Sequence, residues 1–199
     1  MTLSNRKILR TLLCLLAGTL YAVCLSACDA KEPLSENRDA EIESPVIAND
    51  LSNQKVTAIA EDTQGHIWIG TFRGLNKNNV HDYHQYFCTD DSLGLPDNQI
   101  THLLRDSKNR FWVGTVNGVC LYTDKDNFRI IPIEADNKNV RQILEDRNGR
   151  IFLNTGFQLY AYHPREEKIT CVLPEISPGN AFYAQCHIAP DNNLWVMTS

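Results

Sequence analysis

Few residues in this 199-residue chain combine the types and spacing that a chemical site requires. His81 and His84 form a His-x-x-His pair around Asp82, and imidazole and carboxylate groups are common ligands of zinc. Nothing in the pattern fixes this pair on one helix face, and the sequence places no third ligand beside it. We therefore predict ordinary surface residues here, with no metal site and no cofactor.

Three aspartates recur at a similar spacing and resemble a ring of carboxylates: Asp62, Asp106 and Asp146. Each begins a four-residue turn that ends in Gly or Asn, the residues that most easily adopt positive φ. An aspartate in that place hydrogen-bonds the backbone amides of its own turn, so turn formation accounts for all three. The sequence also holds no nucleophile elbow, phosphate-binding loop or zinc signature. We predict no catalytic residue.

Four large aromatic residues follow the turns and would be able to stack on sugar rings: Trp68, Trp112, Phe152 and Trp195. Their neighbours on both sides are apolar, so we predict that they anchor a hydrophobic core instead. The steps between them are 44, 40 and 43 residues, and all three tryptophans of the chain occupy this one position. Such a fixed phase indicates a chain built from repeats.

The repeats have cores at residues 56–71, 100–115, 140–155 and 183–198. In each core, an apolar run, the turn and a β-branched or aromatic run predict a hairpin. A third strand at 119–122 and an outer, more exposed strand at 128–133 or 168–172 complete the unit, and residues 76–97 are predicted as its longest insertion. We therefore predict an all-β fold over residues 50–199: an open or incomplete β-propeller of about three and a half four-stranded blades.

The first residues have the parts of an export signal. Three basic residues precede an apolar run at 11–25, which predicts a signal peptide over residues 1–27. The Leu-Ser-Ala-Cys ending resembles the lipobox of bacterial lipoproteins and predicts lipidation of Cys28; an ordinary signal peptide or an uncleaved signal anchor is the alternative. Residues 28–49 are predicted as a flexible, disordered tether, although residues 45–48 would also suit a strand. The predicted location is exported, on the periplasmic side, and anchored in a membrane.

Charge and cysteine content exclude some partners. Without residues 1–27 the chain carries 16 Lys and Arg against 24 Asp and Glu, a net charge of −8, so we predict that it does not bind nucleic acid. Four cysteines remain in the exported part, and we predict free, buried thiols in preference to disulfides. These cysteines are Cys88, Cys120, Cys171 and Cys186.

The repeat resembles that of the two-component-regulator propeller family. Residues 94–118 carry the fullest copy, with Gly-Leu-Pro, the Asp turn, Trp-Val-Gly-Thr and a second glycine, and residues 56–75 match from the inner strand onward. The resemblance implies blades of a periplasmic sensor region, best known from hybrid two-component regulators of gut Bacteroidetes, many of which sense carbohydrate fragments. It also implies kinase and DNA-binding parts, and these 199 residues contain no kinase motif. We therefore expect a fragment, a truncated relative, or a chain whose ring is completed by further blades or a second chain.

The function implied is that of a non-catalytic sensor or ligand-binding segment with an oligosaccharide as its ligand. Contacts would come from loops at one rim, where the repeats differ in sequence. The candidates are Arg73, Tyr83, Tyr86 and Asn117. Two alternatives stay open: a secreted propeller lyase or hydrolase acting on carbohydrate, and a propeller scaffold for docking other proteins.

Overall fold

The computed structural model describes residues 45–89, 94–123, 125–174 and 183–198. The predicted signal peptide, Cys28 and most of the tether lie outside these residues. All regular structure in the described part is β-strand, as the repeat pattern predicts. The same part contains no apolar helix of membrane-spanning length.

Fifteen strands in the described residues form four antiparallel sheets. Sheet 1 contains β1 (Val46–Ala48), β2 (Val56–Glu61), β3 (Ile67–Thr71), β4 (Gly74–Asn79) and β5 (Asp82–Tyr86). Sheet 2 contains β6 (Ile100–Arg105), β7 (Phe111–Thr115), β8 (Gly118–Tyr122) and β9 (Phe128–Ile131). Sheet 3 contains β10 (Gln142–Glu145), β11 (Ile151–Asn154), β12 (Leu159–His163) and β13 (Lys168–Leu173), and sheet 4 contains β14 (Tyr183–Ile188) and β15 (Leu194–Thr198). Sheets 2 and 3 are simple meanders in chain order, which confirms the four-stranded unit.

Sheet 1 differs from the sequence prediction in two places. Residues 76–97 were predicted as an insertion, but the first part of this range completes β4 and forms β5, so the sheet has its outer hairpin. Residues 46–48 form β1 and pair with β5, with Ile47 opposite His84. These three residues therefore form a strand, as the alternative interpretation predicted, and are not part of a disordered tether. Val46 and Ile47 remain more than half exposed, so backbone pairing rather than burial holds β1 in place.

The sheets pack face to face in chain order, and the repeated aromatic lies between each sheet and the next. The Trp68 ring contacts Phe111 and Tyr122 of sheet 2, with ring centroids 5.0 and 4.7 Å apart. The Trp112 ring meets Tyr162 of sheet 3 at 4.8 Å, and Phe152 packs in a cluster with Cys186 of sheet 4. This stacking of small meanders is the β-propeller arrangement, in which every sheet acts as a blade.

A glycine at the end of the second strand lets the next blade approach. A Cβ added to Gly70 would lie 2.5 Å from Cγ2 of Ile100, and one on Gly114 would lie 3.1 Å from Cγ1 of Val140. The third repeat has Asn154 in this place. Its Nδ2 donates to Oε1 of Gln142 at 3.2 Å, and that same oxygen accepts the backbone N–H of Cys186 at 2.8 Å. A polar link between sheets 3 and 4 therefore replaces the close apolar contact.

The outermost faces of the stack expose apolar side chains. Ile59 on sheet 1 is 66% exposed, and Trp195 on sheet 4 is 65% exposed, so no described residue covers the ring of Trp195. Leu194 and Val196 pack toward sheet 3, so strand alternation places Trp195 on the opposite face, which no further described sheet covers. The prediction of buried thiols holds for Cys120 and Cys186, but it is wrong for Cys88 and Cys171, whose side chains are exposed.

Candidate ligand-binding rim

The strand connections lie at two opposite ends of each blade. One end, which we call the aspartate rim, carries the β2–β3, β6–β7 and β10–β11 turns. The other end, the variable rim, carries the β3–β4, β7–β8 and β11–β12 turns together with the segments that enter β2, β6 and β10. This division follows from the antiparallel pairing, because Val56 at the start of β2 lies opposite Thr71 at the end of β3.

The carboxylates of the aspartate rim are used by the fold. Oδ1 of Asp106 accepts the backbone N–H groups of Lys108 and Arg110 at 3.0 and 2.8 Å. Oδ2 accepts Nε of Arg110 at 2.6 Å and the indole N–H of Trp112 at 2.8 Å. Asp62 repeats this arrangement with His66 and with the Trp68 indole, at 3.1 and 2.9 Å. Asp146 repeats it without an indole, because its aromatic partner is a phenylalanine.

The pKa shifts of the Asp62 and Asp146 carboxyl groups agree with a structural role. Burial raises the pKa of the Asp62 carboxyl, but hydrogen bonds from the Trp68 indole and from the turn amides outweigh it, so the pKa lies below its ordinary value. Burial acts in the same direction on Asp146, and the amide and guanidinium of Arg150 again lower the pKa overall. An ionised, fully hydrogen-bonded carboxylate has no proton to donate near neutral pH. The aspartate rim is therefore turn chemistry, as the sequence predicts.

The fourth repeat shows what happens without this aspartate. Ala189 takes its place, and Asn192 adopts the left-handed conformation with φ of 67°, where the other turns have Gly65, Asn109 and Gly149. Asp191 caps the turn instead by accepting the Asn193 N–H at 3.1 Å. The hairpin is therefore retained, but Trp195 lacks the carboxylate that accepts the indole N–H in the first two repeats.

A threonine fixes each turn of the variable rim. The Thr71 hydroxyl donates to the carbonyl of Gly74 at 2.8 Å and accepts the N–H of Arg73 at 3.1 Å. Thr115 makes the same two bonds, to Gly118 and from Asn117, and Thr155 has the corresponding role in the third turn. The residue two places after the threonine is consequently exposed in all three turns. These residues are Arg73, Asn117 and Phe157.

A second row of equivalent residues precedes the inner strands. Oδ1 of Asn53 accepts the backbone N–H of Lys55 at 2.9 Å. In the next two blades, Oδ1 of Asp97 accepts the N–H of Gln99 at 2.8 Å, and Oδ1 of Asn137 accepts the N–H of Asn139 at 2.9 Å. These Asx turns carry the chain from one blade into the next in a constant geometry. The rim therefore has a uniform backbone that presents different side chains in each blade.

Two cavities lie on this rim at equivalent places. The cavity of blade 1 has a volume of about 260 Å³ and is lined by Ser52, Asn53, Arg73, Phe87 and Asn98. The cavity of blade 3 has a volume of about 520 Å³ and is lined by Glu134, Ala135, Asp136, Asn137, Phe157 and Gln158. Each cavity thus contains the Asx residue and the exposed turn residue of its blade. Their charges are opposite, since one holds a guanidinium and the other two carboxyl groups.

The four predicted contact residues lie in different settings. Arg73 and Asn117 are exposed on the variable rim, and Arg73 lines a cavity. Tyr83 is half-buried in β5 opposite Ala48 of β1. Tyr86 is 5% exposed between blades 1 and 2, and its hydroxyl donates to Oδ1 of Asp126 at 2.7 Å, so it packs in the core rather than at a rim. Burial, reinforced by Asp126, raises the pKa of Tyr86 above its ordinary value.

Sequence reasoning missed Phe157 and, apart from Arg73, the residues that line the two cavities. Phe157 follows Thr155 by two residues, as Arg73 follows Thr71, so the repeat register was the signal that could have found it. The His81 and His84 pair was expected to be surface residues, and His84 lies on β5 with its Nε2 3.9 Å from Oδ1 of Asp82. Among the described residues, no group of three or more His, Cys, Asp or Glu side chains is placed to hold a metal ion.

Residues 50–73 and 94–117 match the family model for the two-component regulator propeller. These segments are two-component regulator propeller repeats. Each of the two propeller repeats includes the Asx turn, the aspartate, the tryptophan and the rim residue of its blade. No curated protein matches the chain in a sequence search.

Solved structures share the propeller fold of these repeats. Two of them are extracellular domains of Bacteroides thetaiotaomicron proteins described as hybrid two-component systems, with 24% and 22% identity and TM-scores of 0.63 and 0.60. They align with 72% and 74% of this chain but only 20% and 21% of their own length, so the chain spans about a fifth of those domains. Virginiamycin B lyase from Staphylococcus aureus aligns at 19% identity with a TM-score of 0.57, covering 76% of this chain and 52% of its own. At these identities the likeness establishes the β-propeller fold and nothing finer.

Proposed function

We propose that this chain is a non-catalytic, ligand-binding propeller segment of an extracytoplasmic sensor in a two-component regulator. The observation that carries the proposal is the match of two blades to the regulator propeller repeat. The fold shared with extracellular domains of proteins described as hybrid two-component systems supports it. The variable rim supports it as well, because a constant backbone with variable side chains is a suitable platform for recognition.

The proposed ligand is an oligosaccharide, which binds across the variable rim. The rim offers the mixture of groups that sugars need: Asn117 provides an amide for hydroxyl groups, and Phe157 provides a ring that is 37% exposed. Exposed aromatic rings and a few convergent polar groups are typical of small-molecule sites.

The proposed location is outside the cytoplasm, with the chain anchored in a membrane through a lipid on Cys28. Metabolic labelling with a palmitate analogue tests this, since the wild type should incorporate the label and Cys28→Ala should not. Labelling that persists in Cys28→Ala would contradict the anchor. It would leave the rim proposal standing.

The proposed partner for the outer faces is further propeller blades. In the stack, the Trp68 face of blade 1 is covered by Ile100, Leu103 and Phe111 of blade 2, each at most 6% exposed. The equivalent face of sheet 4 presents Trp195, and the covering face of blade 1 presents Ile59, both about two-thirds exposed. A blade with the same repeat would bury both surfaces.

The decisive experiment is a binding screen of the chain against a panel of oligosaccharides, with calorimetry on any that bind. We expect Asn117→Ala and Phe157→Ala to weaken binding by about tenfold each, in line with the loss of one good contact. The matched control is Asn148→Ala, which changes an exposed asparagine on the aspartate rim and should leave affinity unchanged. No binding by any oligosaccharide, or equal losses in all three variants, would refute ligand binding at the variable rim. Turnover of a bound sugar would refute the non-catalytic role.

A further inference from the structure

The cavity at Arg73 has a composition that differs from the rest of the variable rim. Three separate stretches build it: the approach to β2 supplies Ser52 and Asn53, the β3–β4 turn supplies Arg73, and the link from β5 to β6 supplies Phe87 and Asn98. The backbone joins them, because the Gly74 N–H donates to the carbonyl of Asn98 at 2.7 Å. The cavity is therefore held at the junction of blades 1 and 2.

Two side-chain amides of this cavity keep donors after the fold's own bonds are made. Oδ1 of Asn53 accepts the Lys55 N–H, and Oδ1 of Asn98 accepts the Cys88 N–H at 2.7 Å. Each amide then has its Nδ2 hydrogens left to donate. The Ser52 hydroxyl is bonded to Thr71 at 3.1 Å and accepts from Asn76 at 2.9 Å, so it contributes little.

Arg73 adds the charge. Its backbone N–H bonds to Thr71, but within the described residues its guanidinium forms no ion pair. Two other arginines behave differently, since Arg110 and Arg150 are paired with aspartates through Nε at 2.6 and 2.5 Å. A guanidinium is a planar fork that matches a carboxylate with two parallel hydrogen bonds.

We propose that this cavity binds the carboxylate of an acidic, single-ring ligand such as a uronic acid residue. Arg73 contacts the carboxylate, the Nδ2 groups of Asn53 and Asn98 donate to its oxygens or to neighbouring hydroxyls, and Phe87 provides an apolar wall for the ring. The volume of about 260 Å³ is near the lower limit for ligand pockets, which favours one ring over a longer chain. The inference rests on the proposed ligand-binding function of the rim and names the chemical class of its ligand.

The equivalent cavity in blade 3 provides an internal contrast. It has Phe157 where blade 1 has Arg73, and Glu134 and Asp136 line it. Like charges repel a carboxylate there, so the anion is directed to blade 1 although both cavities have the same backbone frame. The charge of one turn residue and of its neighbours thus decides which blade binds the acidic ring.

The test is NMR titration of the isotope-labelled chain with glucuronate and with glucose, which share a ring and differ in the carboxylate. We expect glucuronate to shift the amide signals of Asn53, Arg73 and Asn98 and to bind at least about tenfold more tightly than glucose, the effect of one charge-assisted contact. Raising the salt concentration should weaken glucuronate binding and leave glucose unaffected.

Arg73→Gln should reduce glucuronate affinity by about tenfold or more and abolish the difference between the two sugars. The matched control is Arg147→Gln, which removes the same charge from an exposed residue on the aspartate rim and should leave both affinities unchanged. Equal binding of the two sugars, no binding of glucuronate, or equal losses in both variants would overturn the inference. If an oligosaccharide of the panel still binds through Asn117 and Phe157 while glucuronate does not, the acidic ligand is wrong and the proposed function stands.

Discussion

Replacement of Trp112 by phenylalanine tests the claim that each repeat is held together by a carboxylate and an indole. Trp112 is fully buried, and its indole N–H donates to Oδ2 of Asp106 at 2.8 Å. The third repeat already carries Phe152 with Asp146, so the substitution copies a natural unit and should not prevent folding. What it removes is one hydrogen bond to a charged acceptor and part of a buried ring.

The expected loss follows from these two contributions. A hydrogen bond to a charged group contributes about 1.5 to 3 kcal/mol. The smaller ring adds about 1 kcal/mol, because complete truncation of a buried tryptophan to alanine costs about 3 to 5 kcal/mol. Trp112→Phe should therefore lower the free energy of unfolding by about 2.5 to 4 kcal/mol. The change in the free energy of unfolding is measured by urea titration, with circular dichroism as the probe.

The matched control is the same substitution at Trp195. That residue is 65% exposed, and Ala189 stands where a carboxylate would bind its indole, so Trp195→Phe should change the free energy by less than about 0.5 kcal/mol. A double-mutant cycle of Trp112→Phe with Asp106→Ala should show a coupling of about 1 kcal/mol or more. Equal losses at the two tryptophans, or additive effects in the cycle, would refute the reasoning.

Three further predictions concern packing, pH and thiol reactivity. Gly70→Ala should destabilise the chain by about 1 to 3 kcal/mol in urea titration, because the new methyl group would overlap Ile100. Asp146→Asn should flatten the acid limb of a pH–stability curve: the lowered pKa means that the carboxylate stabilises the fold above about pH 4 and loses this effect as the pH falls further. Maleimide should label exposed Cys171 in the native chain, whereas Cys120, whose pKa burial raises, should react only after unfolding, as read by mass spectrometry.

Each of these has an outcome that would contradict it. Gly114→Ala should cost less than Gly70→Ala, because its added Cβ would lie 3.1 Å from the nearest atom rather than 2.5 Å, and the reverse order would contradict the packing argument. An unchanged acid limb in Asp146→Asn would mean that the turn carboxylate does not contribute. Native labelling of Cys120 at the rate of Cys171 would show that blade 2 opens readily.

The turns of both rims have a similar backbone conformation in successive blades, and the sequence predicted these turns best. Each turn is held by hydrogen bonds between residues that are at most a few positions apart in the chain. These bonds involve the turn aspartates, the positive-φ Gly and Asn residues and the threonine–glycine pairs. Local hydrogen bonds of this kind leave a fixed spacing in the sequence. The strand count and the propeller fold followed from that spacing. The range 76–97 was misjudged because β4 and β5 lack the alternating apolar pattern of the other strands, and residues 46–48 were assigned to the tether although they form β1.

Contacts between blades could not be obtained in this way. Tyr86 was expected at a rim, yet it lies in a core because Trp68, Tyr122 and Phe128 surround it from two different blades. Burial of a side chain depends on what packs against its face, and residues distant in sequence supply that.

The sequence by itself determined the repeat, its strands and the turn chemistry, since these depend on neighbours along the chain. Only the tertiary structure decided which face of each strand is covered and which polar groups meet on the rim. The cavity at Arg73 shows the reason: its lining residues run from Ser52 to Asn98, and they converge only when blade 1 closes against blade 2. Stacking of the blades therefore creates the candidate site from residues that carry no common local signal.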